Sequence, residues 1–302
     1  MNQWEAILLL LVFVVYVGAT ISFSLRYWMK NNRLIAAGLL LTGAAFSLHS
    51  GLLLVRGLAA GRLPFSNLYE FTLVFGWVTL LLFVGCAIRF RLLATAPLAL
   101  SLVTLLIGVA AMMPRDIRPL MPALRSGWLQ SHVASGILAY GALAVSAVLA
   151  VVMLTRSEEK DEATETGWAV RYWNMPAAIE LERYVHGLIV FGFFFLSVLM
   201  VTGAVWAEET WGRWWGWDPK EIWALITWLI YLVYLHGRNR FGWRGQATAW
   251  FSAIGFFAVM FTLFGVTYLL PGLHSYKYCI EKNRKKKTAP KGSGLLTISA
   301  TS

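Results

Sequence analysis

The chain is short of the residues that catalysis in water usually draws on. Only 14% of its 302 residues are charged, and cysteine occurs twice, as Cys86 and Cys279. The two cysteines form no C-x-x-C pair, which excludes a thiol-disulfide catalyst of that type, and no C-x-x-C-H is present, which excludes a c-type cytochrome. There is no phosphate-binding glycine loop and no internal repeat, so neither a nucleotide-cradling loop nor a solenoid is indicated. What is plentiful is apolar surface. With 58% hydrophobic residues the chain carries more than one aqueous core could hide, and lipid must be its main solvent.

Apolar runs of about 20 residues, long enough to cross a hydrocarbon layer, recur from end to end. Eight are read, from Trp4 to Leu25, Leu34 to Val55, Leu68 to Ile88, Leu92 to Met113, Trp128 to Leu154, Val185 to Trp206, Ile222 to Leu235 and Ala247 to Leu270. All should be helices, because an unpaired backbone amide in lipid costs several kcal/mol. The first run has no basic leader and no small-residue cleavage site, and reads as a retained span. The fold expected is all-α, a polytopic integral membrane bundle of about eight helices. Residues 1–276 would form one transmembrane domain and residues 277–302 a basic, disordered tail.

A net charge of +11 would suggest nucleic acid in a soluble protein, but here its placement matters more. Arg26, Lys30 and Arg33 follow the first run, Arg89 and Arg91 the third, and Arg238, Arg240 and Arg244 the seventh. These loops are assigned to the inner side by the positive-inside rule, which puts both termini outside and calls for no nucleic acid. The outer loops carry Arg62, Arg115, Arg118, Arg125 and Arg213, so the bias is modest.

Trp206, Trp211, Trp214, Trp215, Trp217, Trp223 and Trp228 crowd one stretch, and four of them fall within seven residues of the outer loop 207–221. An aromatic belt at the headgroup level accounts for one or two per helix end. The tighter cluster, interleaved with Gly212 and Gly216 so that the backbone can lie close under the rings, favours a surface for a planar aromatic ligand. Asp218, Pro219 and Glu221 read as structural support, a helix start with cap, first-turn proline and capping-box acid.

Five histidines complete the inventory, and ionisable groups at membrane depth each call for an explanation. His49 falls in the second run and His236 near the inner end of the seventh. His132 opens the fifth run and His274 follows the eighth, both on the outer side. Imidazole is a good iron ligand, so two lipid-buried and two outer histidines beside the tryptophan loop suit axial ligation of haem iron. The competing reading is helix-to-helix hydrogen bonding, which is how His186 is taken. His236 lies about 25 Å along its helix from Pro219 at 1.5 Å per residue. His49 matches that depth only if the second helix runs on through Gly57 to Gly61, with Pro64 ending it.

Leu63-Pro-Phe-Ser-Asn-Leu-Tyr-Glu70, Gly203-Ala-Val-Trp-Ala207, Trp214-Trp-Gly-Trp-Asp-Pro-Lys-Glu221, Tyr234-Leu-His236 and Gly272-Leu-His-Ser-Tyr276 together resemble the haem-handling proteins of cytochrome c maturation, the CcsA, ResC, CcmC and CcmF group. The resemblance runs from the second span to Tyr276 and is nearest the CcsA/ResC branch. It implies that His49 and His236 hold haem b within the membrane. It further implies that His132 and His274 ligate it outside, with Trp211, Trp214, Trp215, Trp217 and Trp223 around the ring. It also implies haem export and ligation to an apocytochrome c bearing C-x-x-C-H, and a membrane partner of the CcsB/ResB kind. The setting would be a bacterial inner (cytoplasmic) membrane, or a thylakoid membrane in a plastid. Rival readings are CcmC-like delivery of haem to a chaperone without ligation, a membrane b-type cytochrome in quinol electron transfer, and a transporter with broken midplane helices.

Overall fold

The structure is a computed structural model and describes residues 3–117, 119, 121–155, 173 and 175–270. Its regular elements are all helical among these residues. Eight long helices follow one another: α1 (Gln3–Met29), α2 (Asn32–Ala60), α3 (Leu68–Phe90), α4 (Ala96–Ala111), α5 (Gly127–Thr155), α6 (Ala178–Trp211), α7 (Pro219–Phe241) and α8 (Gln246–Met260). A π-helical turn, Phe261–Gly265, and a last α-turn, Val266–Leu269, extend α8. Seven of the helices are long and apolar enough to cross a membrane. The eighth, α7, has the length, but Trp223, Trp228, Tyr231, Tyr234 and His236 dilute its apolar content and Arg238 and Arg240 close it. The protein is an all-α polytopic membrane bundle.

Most of the helices overrun the apolar stretches because hydropathy marks the lipid core and not the caps; α4 is the exception, its expected first residues forming a separate 3-10 turn, Leu93–Thr95. α2 continues past Val55 to Ala60 and ends at Gly61, whose φ of 62° is the left-handed cap conformation glycine adopts at low cost. Arg26, which the sequence places in a loop, lies in the last turn of α1, buried, with its guanidinium 5.5 Å from the Trp173 ring.

Packing divides the bundle into α1–α4 and α5–α8. α1 packs on α2 and α4, α5 on α6 and α8, and α3 joins the halves through α5. Helix direction alternates, so the starts of α1, α3, α5 and α7 meet the ends of α2, α4, α6 and α8 at one end. Outward faces are apolar, with Leu10, Leu40, Leu54, Val201 and Phe257 exposed as lipid contact requires.

At that shared end lies a buried charge cluster. Arg56 of α2 is fully enclosed and donates to Glu5 Oε1 of α1 at 3.2 Å and to Glu70 Oε1 of α3 at 2.9 Å. The Arg115 carbonyl after α4 takes a further bond at 2.7 Å. Glu70 Oε2 in turn accepts from Arg62 at 2.7 Å and from the Ser66 amide at 2.9 Å, and Tyr69 donates to Glu5. Two guanidinium groups therefore meet two carboxylates. The cluster fixes loop 61–67, whose Asn67 side chain caps α3 by accepting from the Glu70 amide.

Glu70→Ala leaves Arg56 buried without its better-placed carboxylate and should cost about 3–5 kcal/mol, seen as a large drop in the thermal midpoint in detergent. Arg33→Ala, exposed at the opposite end, should stay within about 0.5 kcal/mol. Equal midpoints for the two variants would show that the cluster does not hold the helix ends.

Candidate functional site

α6 ends at Trp211, where Gly212, at φ 67°, closes the helix with its amide on the Glu208 carbonyl. Seven residues later, at Pro219, α7 begins. Asp218 is its N-cap, accepting from the Lys220 amide at 3.0 Å, and Glu221 reaches back to accept from the Asp218 amide at 3.1 Å and the Gly216 amide at 2.8 Å. The loop is thus tied to the first turn of α7 from both sides. Trp217 sits between these anchors at φ 56°, a left-handed conformation that costs a bulky residue of the order of 1–3 kcal/mol and persists only because its neighbours hold it.

Behind the loop opens a cleft of about 280 Å³, near the lower end of the range for small-molecule sites. Its walls come from five places. Phe65, Ser66, Asn67 and Phe71 belong to the loop and helix start held by the charge cluster. Leu129, His132, Gly136 and Tyr140 come from α5, Leu199, Gly203 and Trp206 from α6, and Lys220, Glu221 and Ala224 from α7. Thr262, Leu263 and Thr267 come from the π-helical turn and the turn after it. A π-turn widens a helix locally and is frequent at functional sites. Here it is joined to α7 by Thr227 and Thr262, whose hydroxyls are 3.2 Å apart.

The tryptophans divide. Trp211, Trp214 and Trp215 line the cleft. Trp217 stands outside it, exposed, edge-on to Trp215 with ring centroids 5.8 Å apart. Trp223 turns away to pack against Phe261 at 4.2 Å. Trp206, absent from the sequence-based set, lines the cleft and stacks on His132 with centroids 6.3 Å apart and planes 22° off parallel. Its signal lay in the Gly203-Ala-Val-Trp-Ala207 motif, set apart from the tight cluster. Gly216 does not lie under an indole ring, since a Cβ there would meet the Arg213 guanidinium at 3.0 Å.

His132 is oriented by α6. Its Nδ1–H donates to the Leu199 carbonyl at 2.9 Å, which in the neutral ring puts the lone pair on Nε2. A ring nitrogen fixed by a backbone carbonyl in this way is what commonly orients a metal-binding histidine. Gly203 makes it sterically feasible, because a Cβ there would stand 2.7 Å from Nδ1.

The other histidines are dispersed. His49 is fully buried in α2, its Nδ1 3.2 Å from the Tyr16 hydroxyl, and its Nε2 makes no hydrogen bond among the described residues. His236 is exposed on α7, edge-on to Phe241 at 5.8 Å. α2 packs on α1 and α3 while α7 packs on α6 and α8, so the structure does not bring His49 and His236 together. Equal depth along two helices does not make the helices neighbours. His186 Nδ1 is 3.1 Å from the Tyr234 hydroxyl, an interhelical contact. His274 and the tail 277–302 lie outside the described residues.

A family model for cytochrome C assembly protein matches residues 65–274. The chain is 37% identical over 256 residues to the cytochrome c biogenesis protein CcsA of Chlamydomonas reinhardtii, covering 82% of this chain and 70% of that one. It is 34% identical over 337 residues to the CcsA of Synechococcus sp. (strain JA-3-3Ab), covering 91% and 95%. Among solved structures, a chain titled cytochrome c heme lyase CcmF superposes with a TM-score of 0.67 at 18% identity. That match covers 86% of this chain and 46% of that one, so the chain spans about half of CcmF and the likeness is one of fold.

Gly203→Ala should force the His132 ring off the Leu199 carbonyl and cost about 1–3 kcal/mol by overpacking. Side-chain nitrogen NMR of labelled histidine would then show loss of the single Nδ1–H tautomer. An unchanged His132 signal would mean that the carbonyl does not orient the ring.

Proposed function

Because the chain belongs to the cytochrome c assembly protein family, we propose that it is a CcsA-type cytochrome c biogenesis protein that presents haem b in the tryptophan cleft for ligation to an apocytochrome c. The observation that carries this reading is the pairing of an oriented histidine with a mainly apolar, tryptophan-lined cleft. His132 offers Nε2 to iron, with His274 as the opposite ligand. Trp206, Trp211, Trp214 and Trp215 supply flat apolar contact to the porphyrin. Haem is cargo here and is transiently held.

The chain positions and shields, and the covalent chemistry belongs to thiol and vinyl. Each cysteine S–H of the C-x-x-C-H segment adds across a vinyl double bond, the sulfur to one carbon and the hydrogen to the other. Holding the vinyl groups against the two thiols replaces an encounter in solution by a fixed approach. The segment's own histidine then displaces one outer ligand, which releases the product.

The inner site is a separate matter. His236 faces outward, so its iron partner would come from outside this chain, and a CcsB/ResB-type membrane subunit is the proposed source. His49 has no ligand-sized space beside it in either described cavity. The same dispersal disfavours a b-type cytochrome, which needs histidine pairs within one bundle. The membrane itself is proposed to be a bacterial inner or a thylakoid membrane.

Detergent-purified protein should carry b-type haem in its reduced spectrum, and His132→Ala should lose at least about tenfold in haem affinity while His186→Ala keeps it. Trp215→Ala should weaken haem more than Trp217→Ala. A co-expressed reporter cytochrome should acquire covalent haem only with intact His132. Haem bound normally by His132→Ala would sink the cleft as the site. A reporter left unattached beside haem-replete wild type with its partner would favour delivery to a chaperone.

A further inference from the structure

One edge of the cleft is built unlike the rest. Among the described lining residues, Lys220 carries the one fixed positive charge and Glu221 the one negative charge. Glu221 is committed to the Gly216 and Asp218 amides, and Asp218 Oδ1 to the Lys220 amide. No ion pair joins the Lys220 ammonium to a carboxylate among the described residues. Trp215, on the same cleft, keeps its Nε1 buried with no hydrogen bond among them. A buried indole N–H without an acceptor costs about 1–3 kcal/mol, so Trp215 Nε1 is a donor in need of an acceptor on a ring that lines the same cleft as Lys220.

The position of Lys220 adds to this. It is the second residue of α7, within the first turn, where the helix dipole favours acidic side chains and disfavours a cation. Asp218, two residues earlier, is the nearby negative charge that offsets this in part, and a local rule broken at a cleft edge is a mark of function.

We propose that Lys220 and Trp215 Nε1 form a carboxylate-binding subsite at the α7 edge of the cleft, which takes a propionate of the haem. The proposal rests on the haem reading of the cleft. The ammonium and the indole N–H each donate to the carboxylate, a charge-assisted arrangement that orients the ring as well as holding it. With His132 on α5 binding the iron and the propionate tied to α7, the porphyrin cannot rotate about the iron–nitrogen axis. The vinyl groups are then kept in one direction. Arg213, whose guanidinium lies over Gly216 and does not line the cleft, is the nearest rival cation on the loop.

The test titrates the full-length protein in detergent with ferric haem b and with its dimethyl ester, following the Soret band. Wild type should prefer the free acid by about tenfold or more, the size of one charge-assisted contact. Lys220→Met should abolish the preference while leaving ester affinity within about twofold of wild type. Lys220→Arg and Arg213→Gln should keep the preference, and Trp215→Phe should reduce it. Equal wild-type affinity for acid and ester, a preference that survives Lys220→Met or vanishes with Arg213→Gln, or loss of both ligands in Lys220→Met would overturn the subsite and leave the haem reading standing. Wild type that binds neither ligand would overturn the haem reading itself.

Discussion

A guanidinium with no access to solvent holds one end of this bundle together. Arg56 reaches α1 through Glu5, α3 through Glu70 and the segment after α4 through the Arg115 carbonyl. In a membrane the apolar effect does little to draw helix to helix, because lipid tails are as apolar as the side chains. Polar contacts then carry more of the burden of register, and a charge that can be satisfied in only one arrangement specifies that arrangement. The same cluster sets loop 61–67 against the cleft, so the wall formed by Phe65, Ser66 and Asn67 depends on a carboxylate, Glu70, that is not itself among the lining residues.

The cluster also accounts for the weak charge asymmetry of the sequence. Arg62 counts as an outer positive charge when loops are tallied, yet Glu70 neutralises it inside the protein. A tally of loop lysines and arginines treats every charge as free, and here that assumption fails at the tryptophan end. At the other end Arg238 is likewise paired, to Glu182 at 2.6 Å.

Helices and cleft differed in how far the sequence disclosed them, and for physical reasons. Spans are legible because lipid imposes length and composition locally: each of the eight expected runs coincides with a helix, seven of them long and apolar enough to cross a membrane, and most have their ends extended into caps. Asp218 and Glu221 sit at fixed offsets from Pro219, so a capping motif can be read without tertiary knowledge. The partners of Arg56 cannot be read that way, since Glu5 is 51 residues away and Glu70 is 14. The same gap in information separates His49 from His236: axial depth follows from counting residues, whereas lateral neighbourhood follows from packing that no count contains. Which face of α7 each indole takes was equally hidden, and so Trp223 turned out to pack on Phe261 while Trp206, one helix earlier, lines the cleft. Lys220 was visible as a letter of its motif, but only the cleft lining, where it is the one fixed positive charge among the described residues, makes its ammonium conspicuous.

α7 is the least apolar of the eight helices, and that bears on how the protein is made. A segment interrupted by tryptophan, tyrosine and histidine and closed by Arg238 and Arg240 enters hydrocarbon less readily by itself than its neighbours do. Several of its polar side chains find partners on the helices before and after it, as Trp228 does on Ser197 of α6 and Thr227 on Thr262 beyond α8. The contacts of α7 are therefore complete only once α8 and the turns after it are in place. The cleft, whose edge is the first turn of α7 and whose far wall follows α8, draws its lining from elements that are complete only when the chain is nearly complete.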